Sequence, residues 1–377
     1  MRIIYFTPLL STVGGQERTL TDKANYLTAQ GHQVMMVTYE HEGTLAYPLA
    51  VGVEHRDLAC HMFELYRLPL WRRLPAALKL KRQLRQKLAG VLGAFRPDVI
   101  VVPIPNTENF ICDVLKTAGS VPVVIESHLA QGHAVIRRGM TEILLYKCYN
   151  PMKAVRQANL LITLTHGDAD CWRKLGVDRI NVVPNPVTRR DEVLPTTARR
   201  PGRIIAVGRY TPQKRMDRLI DAFSLIAPAN PVWTLDIFGE GEERENLEKR
   251  IAAQGMEGRI RLLPPTSDIY SEYLSSQFFV LGSDFEGFGL VVIEAMACGL
   301  PVVSTDCPFG PGEIISNGKT GLLTKLDVND LAEKMEWMMT HDTERHQMGQ
   351  QAFEASSRYS KERVVSLWLK AYQSVIS

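Results

Sequence analysis

The sequence predicts an α/β protein made of two doubly wound domains, and three observations predict it. Short apolar runs, partly β-branched, alternate with helix-like segments through the first half. That alternation stops in the proline-rich stretch Asn181-Val-Val-Pro-Asn-Pro-Val187, passes through charged, irregular sequence to Arg203, and starts afresh. At 377 residues the chain is also long enough for two domains, each with its own core.

In order, Ile3–Phe6 reads as a strand broken at Gly14-Gly15, Glu17–Gln30 as a helix ending at Gly31, and Gln33–Thr38 as a strand. Asp98–Val102, Pro122–Glu126 and Leu160–Thr163 follow as further strands. The second half repeats the pattern with strand-like Ile204–Val207, Thr234–Phe238, Ile260–Leu263, Phe278–Leu281 and Val302–Ser304. Leu290–Cys298 reads as a helix closed by Gly299 and Pro301. Ser360–Ile376 reads as an amphipathic helix with Val364, Leu367, Trp368, Ala371 and Val375 on or near one face. The expected domains are 1–187 and 188–358, with 359–377 as a closing helix. In sheets of this kind ligands bind beyond the carboxyl ends of the strands.

Composition narrows the function. With 45% apolar and 23% charged residues the chain is ordinary globular protein, and a net charge of +3 is too small to imply a nucleic-acid partner. Its six cysteines form no C-x-x-C pair and no zinc-like spacing, which suits reduced, buried thiols in the cytosol. The start, Met1-Arg-Ile-Ile-Tyr-Phe-Thr-Pro8, lacks the apolar length of a signal peptide, and no run reaches the roughly 20 apolar residues that span a bilayer. A cytoplasmic location is expected. Neither Gly14-Gly15 nor Gly239-Glu-Gly241 completes G-x-G-x-x-G, which disfavours a nicotinamide dehydrogenase.

The chemistry concentrates in Asp284-Phe-Glu-Gly-Phe-Gly-Leu-Val-Val-Ile-Glu294. Glu286 falls ahead of the helix and Glu294 inside it, with the amides of Gly287, Phe288, Gly289 and Leu290 between them at a helix N-terminus. Unpaired amides and the helix dipole attract anions there, and a carboxylate on either side can accept from hydroxyls. A nucleotide sugar carries both groups. Taken singly, each glutamate reads as an ordinary helix charge. Arg209, directly after a strand, and Lys214, five residues on, suit a diphosphate: Arg through two N–H groups, Lys as a point charge. Gly14 and Gly15 follow the first strand and open a helix, where glycine lets the backbone approach a ligand or simply makes a tight turn. His128 follows another strand, with His133 as the rival histidine. Asp168-Ala-Asp170 matches a metal-binding D-x-D superficially, but it opens a helix, where acids complement the dipole.

Together these segments resemble the E-x(7)-E signature and flanking blocks of retaining, GT-B-fold glycosyltransferases of family 4. Gly14-Gly15-Gln-Glu-Arg18, Ala206-Val-Gly-Arg-Tyr-Thr-Pro-Gln-Lys-Arg-Met-Asp-Arg-Leu-Ile-Asp-Ala222, Phe238-Gly-Glu-Gly-Glu-Glu243 and Gly318-Lys-Thr-Gly-Leu-Leu323 carry the likeness over nearly the whole chain. The resemblance implies two Rossmann-like domains facing across a cleft, the final helix crossing back to the first. It implies that Glu294 holds the ribose and Glu286 the donor-sugar hydroxyls, while Arg209 and Lys214 meet the diphosphate. Phe288, Gly289 and Leu290 contribute amides, with Gly287 beside them, and His128 sits near the sugar. Gly14, Gly15, Leu263 and Pro264 complete the substrate-binding set. No cofactor or metal is expected. Asp306-Cys-Pro-Phe-Gly-Pro-Gly-Glu313 departs from the commonest family form and resembles a subgroup that builds bacterial polysaccharides and lipid-linked glycans. The implied reaction moves a hexose or N-acetylhexosamine from a UDP-sugar to a glycan acceptor. A nucleotide-sugar epimerase, a phosphorylase of the same fold and a silent nucleotide-binding membrane adaptor are the alternatives.

Between Leu65 and Pro97 stand nine basic residues and no acidic one. Ala77, Leu80, Leu84, Leu88 and Val91 form a helical stripe there, with Trp71 ahead of it. A basic amphipathic helix over about 75–92 can lie on an anionic membrane, which would place the protein peripherally on the inner face of the cytoplasmic membrane.

Overall fold

A computed structural model describes residues 1–12, 14–61, 64, 68–104, 111–128, 130, 155–188 and 200–376. The chain forms two compact units, Met1–Pro184 with Val365–Ser377, and Asn185–Val364.

The first unit holds β1 (Arg2–Phe6), β2 (Gln33–Thr38), β3 (Val53–Asp57), β4 (Val99–Ile104), β5 (Val123–Ser127), β6 (Leu160–Thr163) and β7 (Ile180–Val182). They pair in parallel in the order β3-β2-β1-β4-β5-β6-β7. Helices α1 (Gly15–Ala29), α2 (Leu70–Phe95), α3 (Ile111–Ala118) and α4 (His166–Lys174) belong to this unit. Both faces of a parallel sheet are covered, so β4 and β5 are buried along their whole length.

The second unit holds β8 (Arg203–Val207), β9 (Thr234–Phe238), β10 (Ile260–Leu263), β11 (Phe278–Leu281), β12 (Val302–Thr305) and β13 (Gly321–Thr324), ordered β10-β9-β8-β11-β12-β13. Helices α5 (Met216–Ile226), α6 (Arg244–Ala253), α7 (Ile269–Leu274), α8 (Leu290–Ala297), α9 (Pro311–Ile314), α10 (Val328–Thr340) and α11 (Asp342–Ser356) follow in sequence. The last helix, α12 (Lys361–Gln373), carries Trp368 and Tyr372 into the core of the first unit, where both are fully buried.

Both sheets reverse strand order between their first and fourth strands, at β1/β4 and at β8/β11. That reversal opens a crevice at the carboxyl edge, the usual ligand position of doubly wound sheets. Three strands escape the sequence reading. β3 and β7 are edge strands only partly buried, and β13 is the other sheet's edge, entered through Gly321. None has the continuous apolar run that marks an interior strand.

Helix α2 begins at Leu70, five residues ahead of the expected start, and contains Pro75. Leu84, Leu88 and Val91 are buried against the sheet. Its basic face is less open than the sequence suggests. Lys81 and Arg85 pair with Asp113 of α3 at 3.5 and 3.6 Å, and Lys87 donates to the carbonyls of Leu58 and Ala59. Among the described residues no helix is long and apolar enough to cross a membrane.

Candidate active site

In the second unit the switch point lies between β8 and β11, and the predicted charges follow those two strands. Behind β8, Pro212–Lys214 makes one 3-10 turn, and Arg215 then takes the left-handed conformation before α5. Behind β11, residues 283–289 loop into α8. The two segments are stitched together. Asp284 N–H donates to the Gln213 carbonyl at 3.0 Å, Gln213 Nε2 donates to the Phe285 carbonyl at 2.8 Å, and Arg218 Nη2 reaches Asp284 at 2.7 Å.

This stitching sets Lys214 on Glu286. The ammonium lies 2.7 and 2.8 Å from the two carboxylate oxygens, and Ser283 Oγ donates to one of them at 2.6 Å. Glu286 is 5% exposed, so the pair is charge-assisted and largely out of water. Burial and the nearby Glu286 charge push the Cys307 thiol up to about 12, which keeps it protonated and unreactive. Arg209 stands at the end of β8 with its side chain exposed.

The backbone of Glu286 is paired in both directions, its N–H to Pro308 at 2.8 Å and its carbonyl from Phe309 at 2.9 Å. A Cβ on Gly310 would fall 1.9 Å from the Phe288 carbonyl oxygen, so only glycine allows these loops to pack so closely. Gly289, at φ 98°, caps α8 in the left-handed region that glycine adopts without strain. Among the described residues, the amides of Gly287, Phe288, Gly289 and Leu290 have no backbone acceptor. The Phe288 ring is buried edge-on against Tyr359, so this residue can offer a ligand only its backbone.

Glu294 lies one turn into α8, 7% exposed, and accepts from the hydroxyl of Tyr273 on α7 at 3.3 Å. Leu263 and Pro264, at the end of β10, line a cavity of about 530 Å³ together with Phe238 and Arg203.

The first unit carries the remaining predicted residues. Gly14 is the N-cap of α1 in extended conformation, and a Cβ there would lie 2.4 Å from a Glu17 carboxylate oxygen. Gly15 is the first residue of the helix. His128 directly follows β5 and is 7% exposed, its Nε2 3.0 Å from Glu126. Lys23 of α1 lies 2.6 Å from the same Glu126 oxygen. Burial alone would raise the Glu126 carboxyl, but the Lys23 charge and the His128 hydrogen bond reverse that and leave it at about 2. Burial holds His128 below its ordinary value against the pull of Glu126. His133 lies outside the described residues, as does most of the irregular stretch before Arg203.

Asp168 is buried and accepts from Ser127 at 3.0 Å and from the Trp172 indole at 3.2 Å, while Asp170 pairs with Arg173 at 2.6 Å. The two acids serve separate structural partners, and among the described residues no His, Cys, Asp and Glu cluster could hold a metal. Sequence reading missed Ser283, Gln213, Arg218, Tyr273, Lys23 and Glu126. Ser283 lies three residues ahead of Glu286 and Glu126 two ahead of His128, while each of the others lies 20 or more residues from the group it holds, where no local pattern could reveal it.

Two Rossmann-like sheets of reversed strand order, with paired charges at a switch point, define a GT-B transferase. The family model described as "Glycosyl transferases group 1" matches residues 195–355, and "Glycosyltransferase Family 4" matches residues 13–190. Between them the two models span nearly the whole chain, which is a glycosyltransferase. An exopolysaccharide phosphotransferase of Streptomyces coelicolor is 32% identical over 201 residues, which make up 53% of this chain but 21% of that protein. An uncharacterized glycosyltransferase of Haemophilus influenzae is 25% identical over 97% of this chain and 98% of its own. The structure of a variant of S. aureus TarM, in complex with fondaparinux, alpha-GlcNAc-glycerol and UDP, matches with a TM-score of 0.79 at 15% identity, covering 98% of this chain and 99% of that one.

Proposed function

We propose that this enzyme moves a hexose or N-acetylhexosamine, with retention, from a UDP-sugar to a glycan acceptor that is lipid-linked or destined for surface polysaccharide. The observation that carries this reading is the Lys214–Glu286 pair beside the amides of 287–290, which have no backbone acceptor among the described residues. The UDP and glycosyl-glycerol bound to TarM support the donor and acceptor classes.

Breaking the bond to the anomeric carbon leaves negative charge on the diphosphate. Arg209, Lys214 and the amides at the start of α8 would receive that charge, the usual electrostatic means of lowering such a barrier. Lys214 then leaves Glu286, whose carboxylate becomes free to accept from sugar hydroxyls. Glu294 accepts from the ribose hydroxyls, and His128 bonds a hydroxyl of the donor sugar. Retention follows if the acceptor attacks on the face the phosphate leaves, the departing phosphate taking the acceptor's proton. Hydrolysis assays over UDP-, GDP- and ADP-sugars test the donor. Turnover of UDP-sugars, lost in Glu286→Gln, is expected, and turnover of GDP- or ADP-sugars alone overturns the donor assignment.

The exposed stripe of α2 supports a membrane-borne acceptor. Trp71, Pro75, Leu78 and Arg82 recur at helical spacing on one exposed face, Trp71 and Leu78 at 71% and 62% exposure. The Arg72 guanidinium stacks 4.5 Å over the Trp71 ring. Apolar side chains interleaved with outward Arg72, Lys79 and Arg82 match an anionic lipid surface.

A further inference from the structure

The charged cluster around His128 is assembled from four distant parts of the chain. Glu126 Oε2 accepts from Lys23 at 2.6 Å and from His128 Nε2 at 3.0 Å, and Oε1 accepts from the Tyr372 hydroxyl of α12. Tyr372 is itself 3.1 Å from the Tyr5 hydroxyl. The Trp368 ring covers Lys23 Nζ at 3.5 Å and lies parallel to His128 at 6.5 Å. Glu126 is fully buried, and Lys23 is 1% exposed.

An ionised carboxylate can only accept, so the hydrogen at the His128–Glu126 contact must lie on Nε2. In a neutral ring Nδ1 then bears a lone pair. That Nδ1 is buried and finds no hydrogen-bond partner among the described residues. Buried polar atoms are seldom left so, and this one can be satisfied only by something that donates.

We propose that Glu126, held by Lys23 and Tyr372, is a positioning residue that fixes the tautomer of His128 so that Nδ1 serves as an acceptor for a substrate hydroxyl. The inference rests on the reading of His128 as a donor-sugar contact and deepens it: the group met there must bring a proton, as a hydroxyl or an acetamido N–H does, since a carboxylate or ether oxygen has none to give. His128 is thereby a recognition group and not a proton donor.

The tautomer can be read without any activity assay. In long-range proton–nitrogen spectra of ¹⁵N-histidine-labelled protein, His128, identified by its loss in His128→Gln, should show a protonated Nε2 and a bare Nδ1 at neutral pH. The double variant Lys23→Met with Glu126→Gln replaces a buried ion pair by a neutral pair, a change often tolerated. Its glutamine oxygen takes the Tyr372 hydroxyl and its amide faces His128, so the tautomer should reverse. A hydroxyl that gave its proton to Nδ1 must then turn to accept from it and give up the orientation its other partners set, so kcat/KM for the UDP-sugar should fall about tenfold, on the scale of one ordinary hydrogen bond. A proton on Nδ1 in the wild-type spectrum overturns the inference whatever the enzyme transfers. So does a double variant that keeps the wild-type tautomer. A reversed tautomer with unchanged kcat/KM supports the network and instead removes His128 from the donor site.

Discussion

Lys214 grips both oxygens of Glu286, at 2.7 and 2.8 Å, although the two residues are 72 positions apart and stand on either side of the sheet's reversal. Each occupies the other's ligand-binding groups. On the proposed reading, a diphosphate that draws the ammonium away would release the carboxylate in the same step, which would couple phosphate and sugar recognition through one ion pair.

Lys214→Ala should therefore do two things. Turnover should fall more than donor affinity, because charge grows on the leaving group. The stranded Glu286, left with Ser283, should also lower stability by about 1–3 kcal/mol. Adding Glu286→Gln should restore part of that loss. Urea midpoints that do not recover in the double variant would show that the pair contributes nothing to the resting fold.

Glu294→Gln should weaken nucleotide binding by about 1.5–3 kcal/mol, the size of one charged hydrogen bond. Calorimetry with UDP measures it directly. Unchanged affinity in a folded variant would separate Glu294 from the ribose.

Membrane attachment should depend on which cations are removed. Arg72, Lys79 and Arg82 changed to Gln should release the protein from phosphatidylglycerol vesicles, and added salt should do the same. Lys81 and Arg85 changed to Gln should loosen the packing of α2 on α3 through Asp113 and leave binding largely intact. Equal release by both sets in co-sedimentation would mean that total charge, not the exposed stripe, governs adsorption.

Acid should weaken the first unit in two stages. His128 is held below its ordinary value, so unfolding takes up a proton and stability falls as pH drops through about 6.5. Glu126 sits at about 2, so its contribution is complete above the unfolded carboxyl value and is lost as pH falls from there toward 2. Urea titrations followed by tryptophan fluorescence should show both stages. The Lys23→Met, Glu126→Gln variant should lack the second, and an identical acid slope in that variant would place the titrating group elsewhere.

Transfer should continue in a chelator, because Arg209 and Lys214 supply the positive charge. Activity abolished by the chelator and restored by manganese would reopen the case for Asp168 and Asp170.

What the sequence revealed and what it hid divide along a physical line. Interior strands such as Leu160–Thr163 and Phe278–Leu281 are bounded as read, because burial on both faces demands a near-continuous apolar run. The edge strand Val53-Glu-His-Arg-Asp57 offers no such run. Glu286 and Glu294 stood out because glycines and a helix start mark their segment. Lys23 did not, since a lone lysine in a polar helix reads as surface, and only the fold brings Glu126 and Trp368 to it. Nine cations without an acid looked like an open basic face until Asp113, on the next helix, proved to answer two of them.

Because Tyr372 and Trp368 belong to the core of the first unit, that unit is discontinuous in the gene's order of synthesis. A ribosome that has released residues 1–184 has made every strand of the first sheet but not the helix that covers Lys23 and Glu126. The buried ion pair stays open to water until residues 365–377 emerge, some 180 residues later. The amino-terminal half is thus obliged to wait for the carboxyl-terminal one, and a nascent chain halted anywhere between them carries an unfinished core for the quality-control machinery to find.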